Sequence, residues 1–117
     1  MTDLLLVYTT WESVEQAKEA AKKLLEKRVC GCVNIYPEME PMFWWPPKEN
    51  RLDGSKEVVM IIKTLENKYE ELEKEIYKIH PYDVPCIIAI PTFKVNKDYY
   101  DWIKGEIELK NNDKSSS

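Results

Sequence analysis

A chain of 117 residues has room for one hydrophobic core and not two, and 44% hydrophobic with 32% charged residues describes a globular domain, not a disordered chain. A net charge of -4 with a pI near 5.1 argues against a nucleic-acid partner, since phosphate-backbone binders show a basic patch or stripe. No apolar run reaches the roughly 18 residues of a membrane span, and Met1-Thr2-Asp3 opens no signal peptide.

Three cysteines, odd in number and wrongly spaced for a disulfide framework, fit a reducing compartment. The expectation is therefore a cytoplasmic protein without a membrane partner.

Leu4-Leu5-Leu6-Val7-Tyr8, within residues 3–9, is too short for a helix core and suits a first strand buried on both faces. Ser13 with Gln16 forms a capping box, and Val14, Ala17, Ala21, Leu24 and Leu25 follow at helical spacing, so a helix is expected to run to about Arg28. Residues 29–36 return to strand composition. The aromatic stretch Met42-Phe43-Trp44-Trp45 continues it after prolines at 37 and 41, as one long interrupted strand. A polar loop over 46–55, containing Asp53-Gly54, then turns the chain into a third strand over 57–65.

Asn67 with Glu70 repeats the capping pattern, and Tyr69, Leu72, Ile76 and Ile79 mark the apolar face of a second helix that ends at His80. Residues 84–93 read as a fourth strand centred on Ile87-Ile88-Ala89-Ile90. Tyr99, Trp102, Ile103 and Ile107 follow as a short C-terminal helix. The order βαββαβ predicts an α+β, ferredoxin-like domain with an extended hairpin between its second and third strands. The domain is expected over 1–110, with a disordered tail over 111–117 that has nothing to bury.

Trp44 and Trp45 are adjacent, so on a strand they point to opposite faces, and a sheet covered on one side cannot bury both. A subunit interface is the expected destination of the surplus ring.

The chemistry-bearing stretch is His80-Pro81-Tyr82-Asp83-Val84-Pro85, where the one histidine lies between two elements and two prolines stiffen the turn. An imidazole held there is a candidate metal ligand, proton carrier or ligand donor; equally, it caps the helix and bonds a backbone carbonyl. Lys63 and Thr64 at the end of the third strand, Tyr82 and Asp83 are candidates to share a cleft with it, or else are surface-pair and turn residues. Cys30 and Cys32, two apart on a presumed strand, would share one face with Cα atoms roughly 6.6 Å apart. They suit either a soft ion such as copper or a pair of small buried hydrophobes. There is no nucleophile elbow, phosphate-cradling glycine loop or metalloprotease helix, so no catalytic residue is assigned.

Val7-Tyr8-Thr9-Thr10, Gly31-Cys32-Val33-Asn34, Phe43-Trp44-Trp45, Lys56-Glu57-Val58, Ile62-Lys63-Thr64, the 80–85 hexapeptide and Asp98-Tyr99-Tyr100-Asp101-Trp102-Ile103 together resemble the CutA divalent-cation tolerance family. The resemblance implies a PII-like ferredoxin fold assembled as a homotrimer, with a role in divalent-metal tolerance and copper binding in some members. On that basis the expected function is metal tolerance through weak binding of copper or another divalent cation, with His80 and Cys32 as metal ligands and no organic cofactor. The alternative is a PII-like sensor that takes a small molecule or partner, of unknown identity, in inter-subunit clefts built from Lys63, Trp45, Tyr82 and Asp83. The least favoured reading is an enzyme using His80 as general base oriented by Asp83. Three departures stand out: Cys86 where many members carry glutamate, Gly31 where alanine is common, and a slightly longer hairpin loop. Tyr8 also occupies a position where some members have cysteine.

Overall fold

The computed structural model describes residues 1–109. The last residue of the expected domain and the tail over 111–117 lie outside the described residues. Ten elements alternate: β1 (Leu4–Trp11), α1 (Val14–Glu26), β2 (Cys32–Met39), β3 (Met42–Trp44), β4 (Leu52–Gly54), β5 (Glu57–Leu65), a 3-10 turn (Glu66–Lys68), α2 (Tyr69–Ile79), β6 (Ile87–Pro91) and α3 (Lys97–Glu108). The main sheet has the order β2-β5-β1-β6, every pair antiparallel, which is the ferredoxin-like arrangement. β3 and β4 form a separate two-stranded ribbon that prolongs the β2/β5 side and helps stretch the molecule to 53 Å.

The strand period places Val7, Trp11, Val58, Met60 and Ile62 on the sheet face that α1 and α2 cover, with Ala17, Leu24, Leu72 and Ile76 opposite them. Thr9 also turns inward, and its hydroxyl is satisfied by donating to the Met60 carbonyl at 2.8 Å. On the other face, α3 covers one end only, closing Ile103 and Ile107 over Leu4 and Leu65. The rest of that face stays open: Tyr36 on β2 and Ile88 and Ile90 on β6 are 51%, 53% and 44% exposed, large side chains that a single chain leaves uncovered.

Several boundaries differ from the sequence reading. β1 runs on to Trp11 because Thr10 and Trp11 find partners in Val59 and Val58. α1 starts as expected, with the Gln16 N–H donating to Ser13 Oγ at 3.1 Å; the reciprocal bond goes from the Glu12 N–H to Gln16 Oε1. It ends at Glu26, and Arg28 adopts the left-handed conformation at φ 59° that turns the chain back. α2 lacks the Asn67 cap. The Glu66 N–H is tied to the Asp3 carbonyl at 2.8 Å, and the chain enters the helix through the 3-10 turn instead.

The long interrupted strand is two strands, separated at Glu40-Pro41, with the β2/β5 register shifting between Tyr36 and Met39. Asp53-Gly54 lies in β4, not in the turn, and the hairpin closes instead where the Trp45 N–H meets the Arg51 carbonyl at 3.0 Å. A Cβ on Gly54 would sit 2.8 Å from the Pro41 carbonyl oxygen, so only glycine fits against that break. Neither Trp44 nor Trp45 is buried, at 64% and 43% exposed, because the ribbon has no layer over it within the chain. β6 is shorter than the run over 84–93, beginning only after Pro85 and Cys86.

Gly31 decides how closely α3 approaches the sheet. An added Cβ would lie 2.5 Å from Ile103 Cγ1 and 3.1 Å from Ile107 Cγ1, so glycine lets α3 seat directly on the β2 end of the sheet.

Candidate functional site: an acidic aromatic cleft beside His80

α2 delivers His80 as its C-cap, with the His80 N–H donating to the Ile76 carbonyl at 2.8 Å. Its backbone is extended (φ -79°, ψ 135°), the conformation that the following proline favours. The ring is then fixed from three sides. Nε2 lies 2.7 Å from the Thr10 carbonyl oxygen, and the Tyr82 N–H donates to Nδ1 at 3.1 Å. Trp11 packs at 4.3 Å between ring centroids, and the edge of Tyr82 at 4.7 Å.

These bonds select one protonation state. Nδ1 accepts, so its lone pair is used; Nε2 faces a carbonyl and must carry the proton. Burial lowers the His80 pKa from its usual 6.5, and the Thr10 carbonyl, Glu57 and Glu12 only partly oppose that. A neutral imidazole is favoured by folding, so its contribution to stability is present above pH 6.5. As pH falls the unfolded chain protonates first, and the contribution is lost on the way down to the folded-state value.

The turn that His80 anchors forms one wall of a cleft of about 670 Å³. Phe43 and Trp45 from the hairpin and Tyr82 from the turn give it aromatic faces, while Glu12, Asp53, Glu57 and Asp83 give it carboxylates against a single ammonium, Lys56. Glu57 is its best-fixed acid: the Tyr82 hydroxyl donates to Glu57 Oε2 at 2.6 Å. Burial raises the Tyr82 pKa far above its usual range, with Glu57 adding to the shift, so the phenol keeps its proton. Cys86 also lines the cleft, and burial and then Glu57 raise its pKa, which favours the protonated thiol.

The structure brings Trp45, Tyr82 and Asp83 together but leaves Lys63 at the far end of the sheet, where Nζ donates to the Tyr99 hydroxyl at 3.1 Å. Cys32 is directly opposite Lys63 in the ladder. His80, bonded to Thr10 opposite Val59, is four residues further along β5, about 13 Å at the usual strand rise. His80 packs on the helix-covered face and Cys32 against the α3 cluster, so the two expected metal ligands do not meet. Cys30 is not beside Cys32 on a strand either. It precedes β2 in the helix-side core, where burial, then Cys32, pushes its thiol up to about 12.

A family model for CutA1 divalent ion tolerance proteins matches residues 5–106. The chain belongs to that family. The divalent-cation tolerance protein CutA of Archaeoglobus fulgidus is 40% identical over 102 residues, covering 87% of this chain and 96% of that protein. CutA of Pyrococcus horikoshii is 41% identical over 100 residues, covering 86% and 94%. The Archaeoglobus structure, described as a periplasmic divalent cation tolerance protein, superposes with a TM-score of 0.84 at 38% identity over 90% of this chain and 99% of that one.

CutA1 proteins are named for divalent-ion tolerance and not for an enzymatic activity. A metal is thus implied, and the sequence-predicted ligands do not fit it: both His80 nitrogens are engaged by backbone groups, and Cys32 is remote. Among the described residues no three His, Cys, Asp or Glu side chains converge as a metal site. The same two bonds remove the lone pair a general base at His80 would need. The sequence reading gave no role to Glu12, Glu57 or Phe43. Nothing local marks Glu57, which reaches the cleft only because the β1/β5 register sets the first residue of β5 beside the 80–86 turn.

Proposed function

We propose that this CutA1-family chain is a non-enzymatic, cytoplasmic homotrimer that serves divalent-cation tolerance as a cation-binding protein, using the cleft between the hairpin and the 80–86 turn. The observation that carries the reading is the cleft itself, whose lining holds four carboxylates against one ammonium. Divalent ions bind there weakly through carboxylate oxygens, since no three of them converge on one point. His80 acts one step back, holding the turn. Trimerisation is supported by the open sheet face, and the subunit number by the resemblance to the family. The free thiols of Cys30, Cys32 and Cys86 support a reducing compartment.

Calorimetric titration with Mn2+, a divalent ion that does not oxidise thiols, tests the reading. Weak binding is expected in the wild type, about tenfold weaker in Glu57→Gln, where a carboxylate ligand is removed, and weakened by less in His80→Gln, which loosens the turn without removing a ligand. Binding abolished by His80→Gln and indifferent to Glu57→Gln would return the metal to the histidine and overturn it.

A further inference from the structure

The arrangement of the cleft selects among cations. Glu12, Asp53, Glu57 and Asp83 come from four separate segments: the bend after β1, β4, the start of β5 and the 80–86 turn. With Lys56 opposed to them, the formal charge of the wall is -3 at neutral pH. A small hard ion needs six to eight oxygens gathered at 2.0 to 2.6 Å, roughly, and these carboxylates do not gather. The rings of Phe43, Trp45 and Tyr82 and the isopropyl group of Val84 line the same cleft. Aromatic faces attract ammonium groups and also pack methylenes, whereas they offer nothing to a hydrated metal ion. Tyr82 keeps its ring in place through its bond to Glu57 and its edge contact with His80.

We infer that the cleft is a binding site for an aliphatic organic ammonium, with two or more cationic nitrogens spaced by methylenes. Its nitrogens pair with separate carboxylates and its carbon chain lies on the aromatic wall. About 670 Å³ is ample for a chain of this kind and far larger than one ion requires. The inference rests on the reading that the cleft binds cations and adds to the weakly held divalent ions a ligand class that it holds more tightly. His80 contributes by position alone: neutral, it adds no positive charge to the wall that a cation would meet.

Spermidine serves as the probe, titrated calorimetrically into the full-length protein at low and at moderate salt. Saturable binding is expected, weakened by added salt. Trp45→Ala is expected to weaken it about 5- to 20-fold through loss of the cation-facing ring, and Glu57→Gln by a similar factor. Trp44→Ala, one residue away and not part of the cleft wall, is expected to leave the affinity unchanged. An excess of Mg2+ about tenfold over spermidine should not displace it. Should Trp45→Ala fail to fold, Glu57→Gln and the Mg2+ competition decide alone. Absence of saturable binding, equal effects of the two tryptophan substitutions, or displacement by equimolar Mg2+ would overturn the inference. Failure with spermidine while Mn2+ binding still depends on Glu57 removes the ligand class and leaves the cation-binding function standing; loss of Glu57 dependence for both removes the two together.

Discussion

Trp11→Ala is expected to lower the free energy of unfolding by about 3 to 5 kcal/mol, the range for removing a large aromatic side chain from a core. Trp11 is fully buried, its indole N–H donates to Thr9 Oγ1 at 2.8 Å, and Thr9 in turn donates to the Met60 carbonyl. The ring also supports one side of His80. Truncation therefore opens a cavity, strips a hydrogen bond from a buried threonine and loosens the turn that walls the cleft. Urea unfolding checks the magnitude, and the milder Trp11→Phe should fall between the wild type and alanine. A loss below about 1 kcal/mol, the value typical of an ordinary point substitution, would mean that the end of β1 is not core.

Ile88→Lys is expected to break the assembly. Ile88 stands opposite Tyr8 on the open face of the sheet, more than half exposed in the single chain, so a lysine there costs the chain's own core little. In a trimer the same lysine would bury an unpaired ammonium in an apolar interface, a penalty of several kcal/mol per chain. Sedimentation should give about 42 kDa for the wild type, three times the 13.9 kDa chain, and a single-chain mass for the variant. If the lone subunit proves unstable, Ile88→Ala should show a concentration-dependent mixture instead. A wild type that sediments as a single chain, or a lysine variant that keeps the full mass, would remove the trimer.

The fold was legible because its periods are strong. The apolar run at 4–8, the helical spacing from Val14 to Leu25 and the block at 87–90 each have one good reading, and their order leaves the ferredoxin-like topology as the natural solution. Boundaries were less legible where a partner strand decides them: Thr10 and Trp11 look like the end of a strand until Val58 and Val59 are found across from them. Asp53-Gly54 has the composition of a turn, yet the two prolines at 46 and 47 and the left-handed residues Lys48 and Asn50 take that role.

At the site, the 80–85 stretch stands out through its prolines and its histidine, and of the two readings open for that histidine the structure places it as a helix cap bonded to a backbone carbonyl. A lone imidazole invites metal chemistry until the Thr10 carbonyl and the Tyr82 N–H occupy it, and both partners are backbone groups that no side-chain pattern marks. Trp45, Tyr82 and Asp83, singled out by residue type, line one cleft within the chain. Glu57 was not, since only the sheet register brings it to Tyr82.

The central claim is that His80 is a neutral, doubly engaged support for the turn and not a metal ligand. The chain has one histidine, so 15N NMR of a single imidazole from about pH 8 down to about pH 5, with and without one equivalent of Zn2+, reads it directly. The expected spectrum shows the proton on Nε2, an accepting Nδ1, a titration midpoint below the ordinary 6.5 and no response to the metal. A midpoint at or above 6.5, or a ring nitrogen shifted by stoichiometric Zn2+, would contradict it.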